Sequence, residues 1–178
     1  MALEQAPAYF GRLASAPVRG RLNDELNAEV LFNDRYALVV GRNSKWARRR
    51  KVDLADLVDE PWITSPLDAL GASFVGNAFR SRGLQEPSLL ITTFSIHLRN
   101  NLVGGGDFIT ALPASVLRIY RKLHSLTELP IELAVRPPVA VVTLRHRTPA
   151  PTAQSFIQCA RDIATSFSGK RDVKPRAR

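Results

Sequence analysis

The sequence is poor in the residues and segments that several classes of protein need. It contains a single cysteine in 178 residues, which excludes a disulfide within the chain. The first residues, Met1–Pro7, lack the basic start and the apolar core of a secretory signal. No stretch approaches the roughly 18 consecutive apolar residues of a membrane-spanning helix. We therefore expect a cytoplasmic protein in which Cys159 is a packed thiol on a helix.

Patterns that carry enzyme chemistry are also missing. The three histidines, His97, His124 and His146, have no spacing that predicts a shared metal ion. The nucleophile elbow, the Walker-type loop and a complete dinucleotide-binding glycine pattern do not occur. We expect a protein that is not an enzyme and that holds no cofactor and no metal.

The composition is that of one modest globular domain with an excess of positive charge. Hydrophobic residues make up 45% of the chain, which is enough for a core. The formal net charge is +9 at pH 7. The cations form two clusters, the tail 169–178 and the run Arg42, Lys45, Arg48, Arg49, Arg50 and Lys51. Each cluster is either a solvated surface or a patch that sits near phosphate.

Local patterns predict strands that alternate with helices. The expected strands are β-branched or aromatic and cover Tyr36–Val40, Trp62–Thr64, Ser88–Thr92 and Val139–Leu144, the last as a central strand. The expected helices cover Ser73–Arg82, Ile96–Val103, Ala114–Lys122 and a last helix with an apolar face at Phe156, Ile157, Ala160, Ile163 and Ala164. This alternation predicts the α/β class with parallel pairing and right-handed crossovers.

The most informative stretch is Val103–Pro113, which follows an amphipathic run. Its three glycines, Gly104–Gly106, allow a positive φ at a helix C-cap and a close turn. The apolar residues Phe108–Leu112 fit a strand covered on both faces. We expect a helix end, a glycine hinge, a buried strand and a proline stop.

Several segments together resemble the effector-binding (substrate-binding) domain of LysR-type transcriptional regulators, which are bacterial activators and repressors. The resemblance runs from about Phe10 to Phe167 and is carried by Leu26–Asp34, Tyr36–Val40, Val52–Leu57, Pro61–Ile63, Phe79–Leu84 with Pro87, the glycine-rich strand and the closing helix. Ser44–Ala47 departs at three of four positions from the His-Pro-Leu-Ala usual in the family.

The resemblance implies a fold like that of type 2 periplasmic binding proteins, with two lobes joined by a hinge. The implied domain covers residues 26–168, with a second lobe at about 42–117 and first-lobe parts at about 26–41 and 118–168. Residues 1–25 are expected to be an irregular lead-in and remnant of the first lobe, and 169–178 a basic disordered tail. The first lobe is therefore expected to be incomplete.

Complete members of the resembled family begin with a winged helix-turn-helix and a long linker helix, and neither pattern precedes Phe10. The chain is thus expected to be an N-terminally truncated regulator, either a fragment or a shortened reading frame. DNA contact would then require a helix-turn-helix domain absent from this chain. Family members are usually dimers of dimers, so the resemblance also implies a homo-oligomer.

Ligands of this fold bind in the cleft between lobes, where strand ends and helix N-termini offer N–H groups. The resemblance places candidate ligand-binding residues at Thr64, Ser65, Pro66, Thr93, Phe94, Ser95 and Thr110. Each group has a purely structural alternative. Thr64 and Ser65 could form a turn, Ser95 could only cap its helix, and the Thr110 hydroxyl could bond a neighbouring backbone.

The expected function is effector sensing by a regulator, in which a small anionic, carboxylate-like inducer favours one lobe arrangement and thereby regulates transcription. A stand-alone solute-binding module and a basic nucleic-acid-binding protein are the alternatives. Steep salt dependence of binding would favour the last, and saturable stabilisation by a small molecule the other two.

Overall fold

The computed structural model describes residues 25–66, 74–87 and 89–168. The chain divides into two compact units, which we call the terminal unit, Met1–Asn33 with Pro137–Arg178, and the central unit, Asp34–Arg136. The predictions for the lead-in before residue 25 and for the tail lie outside the described residues.

The described residues form strands and helices in an order close to the predicted one. The strands are β1 (Leu26–Asn33), β2 (Tyr36–Gly41), β3 (Trp62–Thr64), β4 (Leu89–Thr92), β5 (Ile109–Pro113), β6 (Leu126–Glu132) and β7 (Pro138–Leu144). The α-helices are α1 (Phe74–Arg80), α2 (Ile96–Gly105), α3 (Ala114–Tyr120) and α4 (Pro151–Ser168), and a 3-10 helix covers Leu54–Leu57. Strand β6, which contains Pro130, was not predicted.

The central unit is built on a five-stranded sheet with the order β4-β3-β5-β2-β6. Strand β3 runs parallel to both β4 and β5, as the alternation of strands and helices predicts. Strand β2 is antiparallel to both neighbours, with Val39 opposite Thr110 on β5 and Glu128 on β6. The expectation of parallel pairing therefore fails at β2, and β6 forms an edge of the described sheet.

Alternate residues of β2 enter two separate apolar clusters, because successive side chains of a strand point to opposite faces. Leu38 and Val40 pack in a cluster with Trp62 and Phe79. Ala37 and Val39 pack in another, which includes Val103 of α2. All four of these β2 side chains are fully buried, so the sheet is covered on both faces at β2, which lies between β5 and the edge strand β6.

The central unit is wider than the predicted second lobe at about 42–117. Strands β2 and β6, which were assigned to the first lobe, are hydrogen-bonded into the same sheet as β5. The boundaries of the unit consequently lie at Asp34 and Arg136. The buried carboxylate of Asp34 binds the start of α3 and accepts hydrogen bonds from the Ser115 N–H (3.3 Å) and hydroxyl (2.5 Å).

The glycine-rich segment confirms the expected helix end. Helix α2 ends at Gly105, and its C-cap residue Gly106 has a φ of +106°. A side chain at Gly104 would place Cβ 2.6 Å from the carbonyl oxygen of His124. At Gly41, a Cβ would lie 2.4 Å from the Val103 carbonyl oxygen. The end of β2 thus packs directly on the backbone at the end of α2.

The terminal unit consists, in its described part, of the antiparallel pair β1 and β7 with helix α4. Leu26 lies opposite Leu144, and the expected central strand β7 pairs with β1 on one side in the described residues. Phe167 of α4 stacks on Phe32 with ring centroids 5.1 Å apart. Arg161 donates two hydrogen bonds to the Glu29 carboxylate.

Helix α4 differs from the prediction in how its apolar face is used. Ala164 is buried, but Phe156 and Ile163 are exposed by 51% and 61%. Cys159 is also exposed, so the expectation of a packed thiol is wrong. Hydrophobic spacing predicted the helix but not which of its residues are covered.

None of the helices in the described residues is long and apolar enough to cross a membrane.

Candidate functional site

The carboxyl ends of β3 and β4 bring two of the predicted ligand-binding segments together. Thr64, the last residue of β3, lies opposite Thr92, the last residue of β4. Beyond this pair, the Thr93 N–H donates to the Thr64 carbonyl oxygen at 3.0 Å. The sheet therefore continues for one hydrogen bond past the strand ends and holds Thr64 and Ser65 beside Thr93. The ends of parallel strands are where ligands of open α/β sheets bind.

The segment Thr93–Ser95 forms the start of helix α2. The hydroxyl of Thr93 accepts a hydrogen bond from the Ser95 N–H at 3.1 Å. The hydroxyl of Ser95 accepts from the Leu98 N–H at 3.2 Å, which confirms the predicted N-cap. No acceptor for the N–H groups of Ile96 and His97 is found in the part of the chain that the structure describes. These two donors at the positive end of the helix dipole suit an anion.

Phe94 and Pro66 lie in the segments that directly follow β4 and β3. Phe94 is the most exposed large apolar side chain of the described residues, with 77% of its surface accessible. Pro66 is half-buried and directly follows Thr64 and Ser65. Six of the seven predicted residues therefore come from two adjacent chain segments at one edge of the central unit.

Thr110 is the predicted residue that the structure does not place at this edge. It lies inside β5 and is 1% exposed. Its hydroxyl donates to the Ile63 carbonyl oxygen at 2.8 Å. The observed contact is the structural alternative named above, a hydrogen bond to a neighbouring backbone. Thr110 therefore ties β5 to β3 and holds the strand that carries Thr64.

Asn100 is a polar residue of α2 that the sequence reasoning missed. Its side chain is fully buried, and neither amide atom has a hydrogen-bond partner in the described residues. A buried amide of this kind normally has a partner such as water. The available signal was its place on the helix, four residues after Ile96 and three before Val103, where an apolar residue is expected.

In the described part of the chain, the side chains whose pKa departs from its ordinary value form ion pairs away from this edge. A bidentate hydrogen bond from Arg35 to Glu128 raises the pKa of the arginine above its ordinary value. The hydrogen bond from Arg161 lowers the pKa of Glu29. No group of three or more histidine, cysteine or acidic side chains that could hold a metal ion occurs in the described residues. The edge at Thr64 and Thr93 presents hydroxyls and backbone N–H groups.

The sequence matches a known family over most of its length. Residues 13–165 match the family described as the LysR substrate binding domain. A curated relative, the HTH-type transcriptional regulator GbpR of Azospirillum brasilense, is 27% identical over 113 residues. That match covers 63% of this chain and 33% of the relative, so it spans about a third of the length of the curated relative.

Solved structures of effector-binding domains have the same fold. The effector-binding domain of BenM with its effector benzoate is 20% identical, with a TM-score of 0.61 over 90% of this chain and 72% of that one. The effector-binding domain of QuiR in complex with shikimate is 18% identical, with a TM-score of 0.60 over 83% of this chain and 69% of that one. These likenesses support the periplasmic-binding-protein-like α/β fold.

Proposed function

The chain belongs to the LysR substrate binding domain family, and we propose that it senses a small anionic metabolite of the carboxylate class for a transcriptional regulator. The ligand would contact Thr64, Ser65, Thr93 and Ser95 at the edge of the central unit, with Phe94 and Pro66 beside it. Family and curated relative are regulators rather than enzymes, which agrees with the expectation from the sequence.

The observation that carries the proposal is the hydrogen bond from Thr93 to Thr64. It holds the backbone of Thr64 beside Thr93, just before the N-terminus of α2, where Ile96 and His97 present N–H groups. Hydrogen bonds to a charged group contribute about 1.5–3 kcal/mol each. A carboxylate that accepts several of them would bind more tightly here than a neutral analogue of the same shape.

Neighbouring structures support the ligand class. The BenM domain is found with its effector benzoate and the QuiR domain in complex with shikimate, and both molecules carry one carboxylate on a six-membered ring. In the proposal, the exposed ring of Phe94 packs against the apolar part of such a molecule. Binding would shift the population of conformations and so change the state of an associated DNA-binding part. We further propose that the regulator acts in the cytoplasm as a homo-oligomer.

Thermal unfolding with a panel of aromatic and aliphatic carboxylates tests this proposal. A ligand at about 100 times its dissociation constant stabilises the folded state by roughly 2.7 kcal/mol. This corresponds to a rise in melting temperature of roughly 5–10 °C for a chain of this size. The matching amides and esters, which lack the negative charge, are expected to give a much smaller shift.

A double variant, Thr64→Val with Ser65→Ala, removes two hydroxyls without changing charge. We expect it to weaken binding of an active carboxylate by about tenfold or more. The matched control is Ser81→Ala with Thr127→Val, which removes two hydroxyls elsewhere in the central unit. Equal affinity of both double variants for an active carboxylate would contradict the assigned edge, and stabilisation by the amides alone would contradict the ligand class.

A further inference from the structure

The segment Arg42–Lys51, which we call the basic turn, is a dense group of cations on a fixed backbone. It follows β2 and contains six basic residues and no acidic residue. We propose that the basic turn binds the phosphate backbone of duplex DNA, as a contact of this domain itself and independent of effector binding.

The first support is that most of these cations are exposed and unpaired. Exposed positions are taken by Arg42, Lys45, Arg48, Arg49, Arg50 and Lys51. Only Lys45 has an ion pair among the residues that the structure describes, with Glu60 at 2.6 Å. Other surface arginines do find carboxylates, such as Arg35 with Glu128 and Arg161 with Glu29. The remaining five cations of the turn therefore have no carboxylate partner among the described residues.

The second support is that the backbone of the turn is held in place. Trp46 and Ala47 pack against the apolar cluster of the central unit. The Ala47 N–H donates to the Ser44 carbonyl oxygen at 3.1 Å, and the Arg49 N–H donates to that of Trp46 at 3.1 Å. At its start, the Arg42 N–H donates to the Ser125 carbonyl oxygen at 2.8 Å. Binding a polyanion would thus order side chains only, which lowers its entropic cost.

The third support is that the acidic groups that follow the turn are engaged within their own segment. The Asp53 carboxylate accepts from the Ala55 N–H, and the Asp56 carboxylate accepts from the Asp53 N–H. This reciprocal cap belongs to the 3-10 helix. Glu60 pairs with Lys45 as described. Asp59 is exposed and adds one negative charge near the end of this segment.

The chemistry favours a phosphate polymer over an acidic protein. Arg48, Arg49 and Arg50 are consecutive, and guanidinium groups bind phosphate oxygens in pairs. Duplex DNA carries one negative charge per about 1.7 Å of its axis. This charge density matches a compact group of cations better than the scattered carboxylates of an acidic protein do. The absence of a second aromatic beside Trp46 in the turn argues against a stacking platform for single strands.

The test measures binding of the full chain to a labelled duplex of arbitrary sequence as the salt concentration rises. The variant is Arg48→Ala, Arg49→Ala, Arg50→Ala and Lys51→Ala combined. Its matched control removes the same number of exposed cations elsewhere, by Arg82→Ala, Arg121→Ala, Lys122→Ala and Arg145→Ala. All three proteins keep the basic tail, so its contribution is the same in each. Thermal unfolding of each variant checks that it is folded.

The slope of log K against log salt is negative, and each lost phosphate contact reduces its magnitude by about 0.9. If the variant loses all four contacts, a fourfold rise in salt should weaken DNA binding by the wild type on the order of 100-fold more than DNA binding by the variant. The control is expected to keep most of the wild-type slope. Equal slopes in variant and control would overturn the proposal. So would tighter binding of polyglutamate than of DNA at equal charge, since that result would assign the turn to an acidic protein.

Discussion

Alanine substitution at three consecutive glycines, Gly104, Gly105 and Gly106, should change the stability of the central unit in three different ways. At Gly104, the new Cβ would lie 2.6 Å from the His124 carbonyl oxygen, a backbone atom that cannot move away freely. Overpacking of this kind costs about 1–3 kcal/mol. At Gly106, the φ of +106° disfavours any side chain, and the strain costs about 1–2 kcal/mol.

Gly105 is expected to behave in the opposite way. It lies between the other two glycines in sequence, but an added Cβ would meet nothing within 4 Å. Its φ is not positive, and it is the last residue of α2. Alanine at such a site restricts the unfolded chain and favours the helix, which stabilises the fold by about 0.5 kcal/mol.

Urea unfolding followed by tryptophan fluorescence measures these effects in the right part of the molecule. The only two tryptophans, Trp46 and Trp62, both belong to the central unit. A change of 1 kcal/mol moves the urea midpoint by roughly 0.3–1 M. The reasoning is refuted if Gly105→Ala lowers the midpoint as much as Gly104→Ala does, because the two sites would then be equivalent despite their different surroundings.

Two further predictions concern ion pairs and caps. Asp34→Ala removes the buried carboxylate that binds Ser115, and we expect the free energy of unfolding to fall by about 2 kcal/mol in urea. The prediction is contradicted if Ser115→Ala lowers the free energy of unfolding equally in the wild type and in the Asp34→Ala variant, because the two groups would then act independently. The hydrogen bond from Arg161 lowers the pKa of Glu29, so this pair stabilises the fold above the ordinary glutamate pKa of about 4.3 and loses its effect as the pH falls through the lowered value. Arg161→Gln should therefore lower the melting temperature, measured by circular dichroism, at pH 7, and its difference from the wild type should shrink as the pH falls below about 4. A difference that stays constant into the acid range would contradict this.

Local chemistry was sufficient to predict many elements from the sequence. Ser95 begins α2 through its hydroxyl, and Gly106 ends it through its positive φ. The strand predicted at Tyr36–Val40 also agrees with the structure. Each of these features depends on a few neighbouring residues, whose preferences are visible in one sequence.

The features that the sequence did not reveal depend on distant contacts. Strand β2 lies between β5 and β6 and is antiparallel to both. Nothing in Tyr36–Gly41 specifies that direction. Strand β6 was not predicted, and it contains Pro130, a residue that lacks a backbone donor and disfavours a strand in the local pattern. The sequence left open whether the Thr110 hydroxyl faces a ligand or a backbone group, and its partner Ile63 lies 47 residues away in sequence. The parallel pairing of β3 and β4 brings their last residues, Thr64 and Thr92, together.

The position of Pro130 in β6 also affects how copies of this protein can meet. Leu126, Leu129 and Ile131 face inward and are buried, while Glu128 and Glu132 bring negative charge to the same strand. If a β-strand of another chain paired with β6, Pro130 could not donate a hydrogen bond, and Glu128 and Glu132 would bring two negative charges to the contact. Proline and charge on an edge strand are established means of preventing such intermolecular pairing. Strand addition at this edge is thereby disfavoured, and copies that associate would do so elsewhere on the molecule.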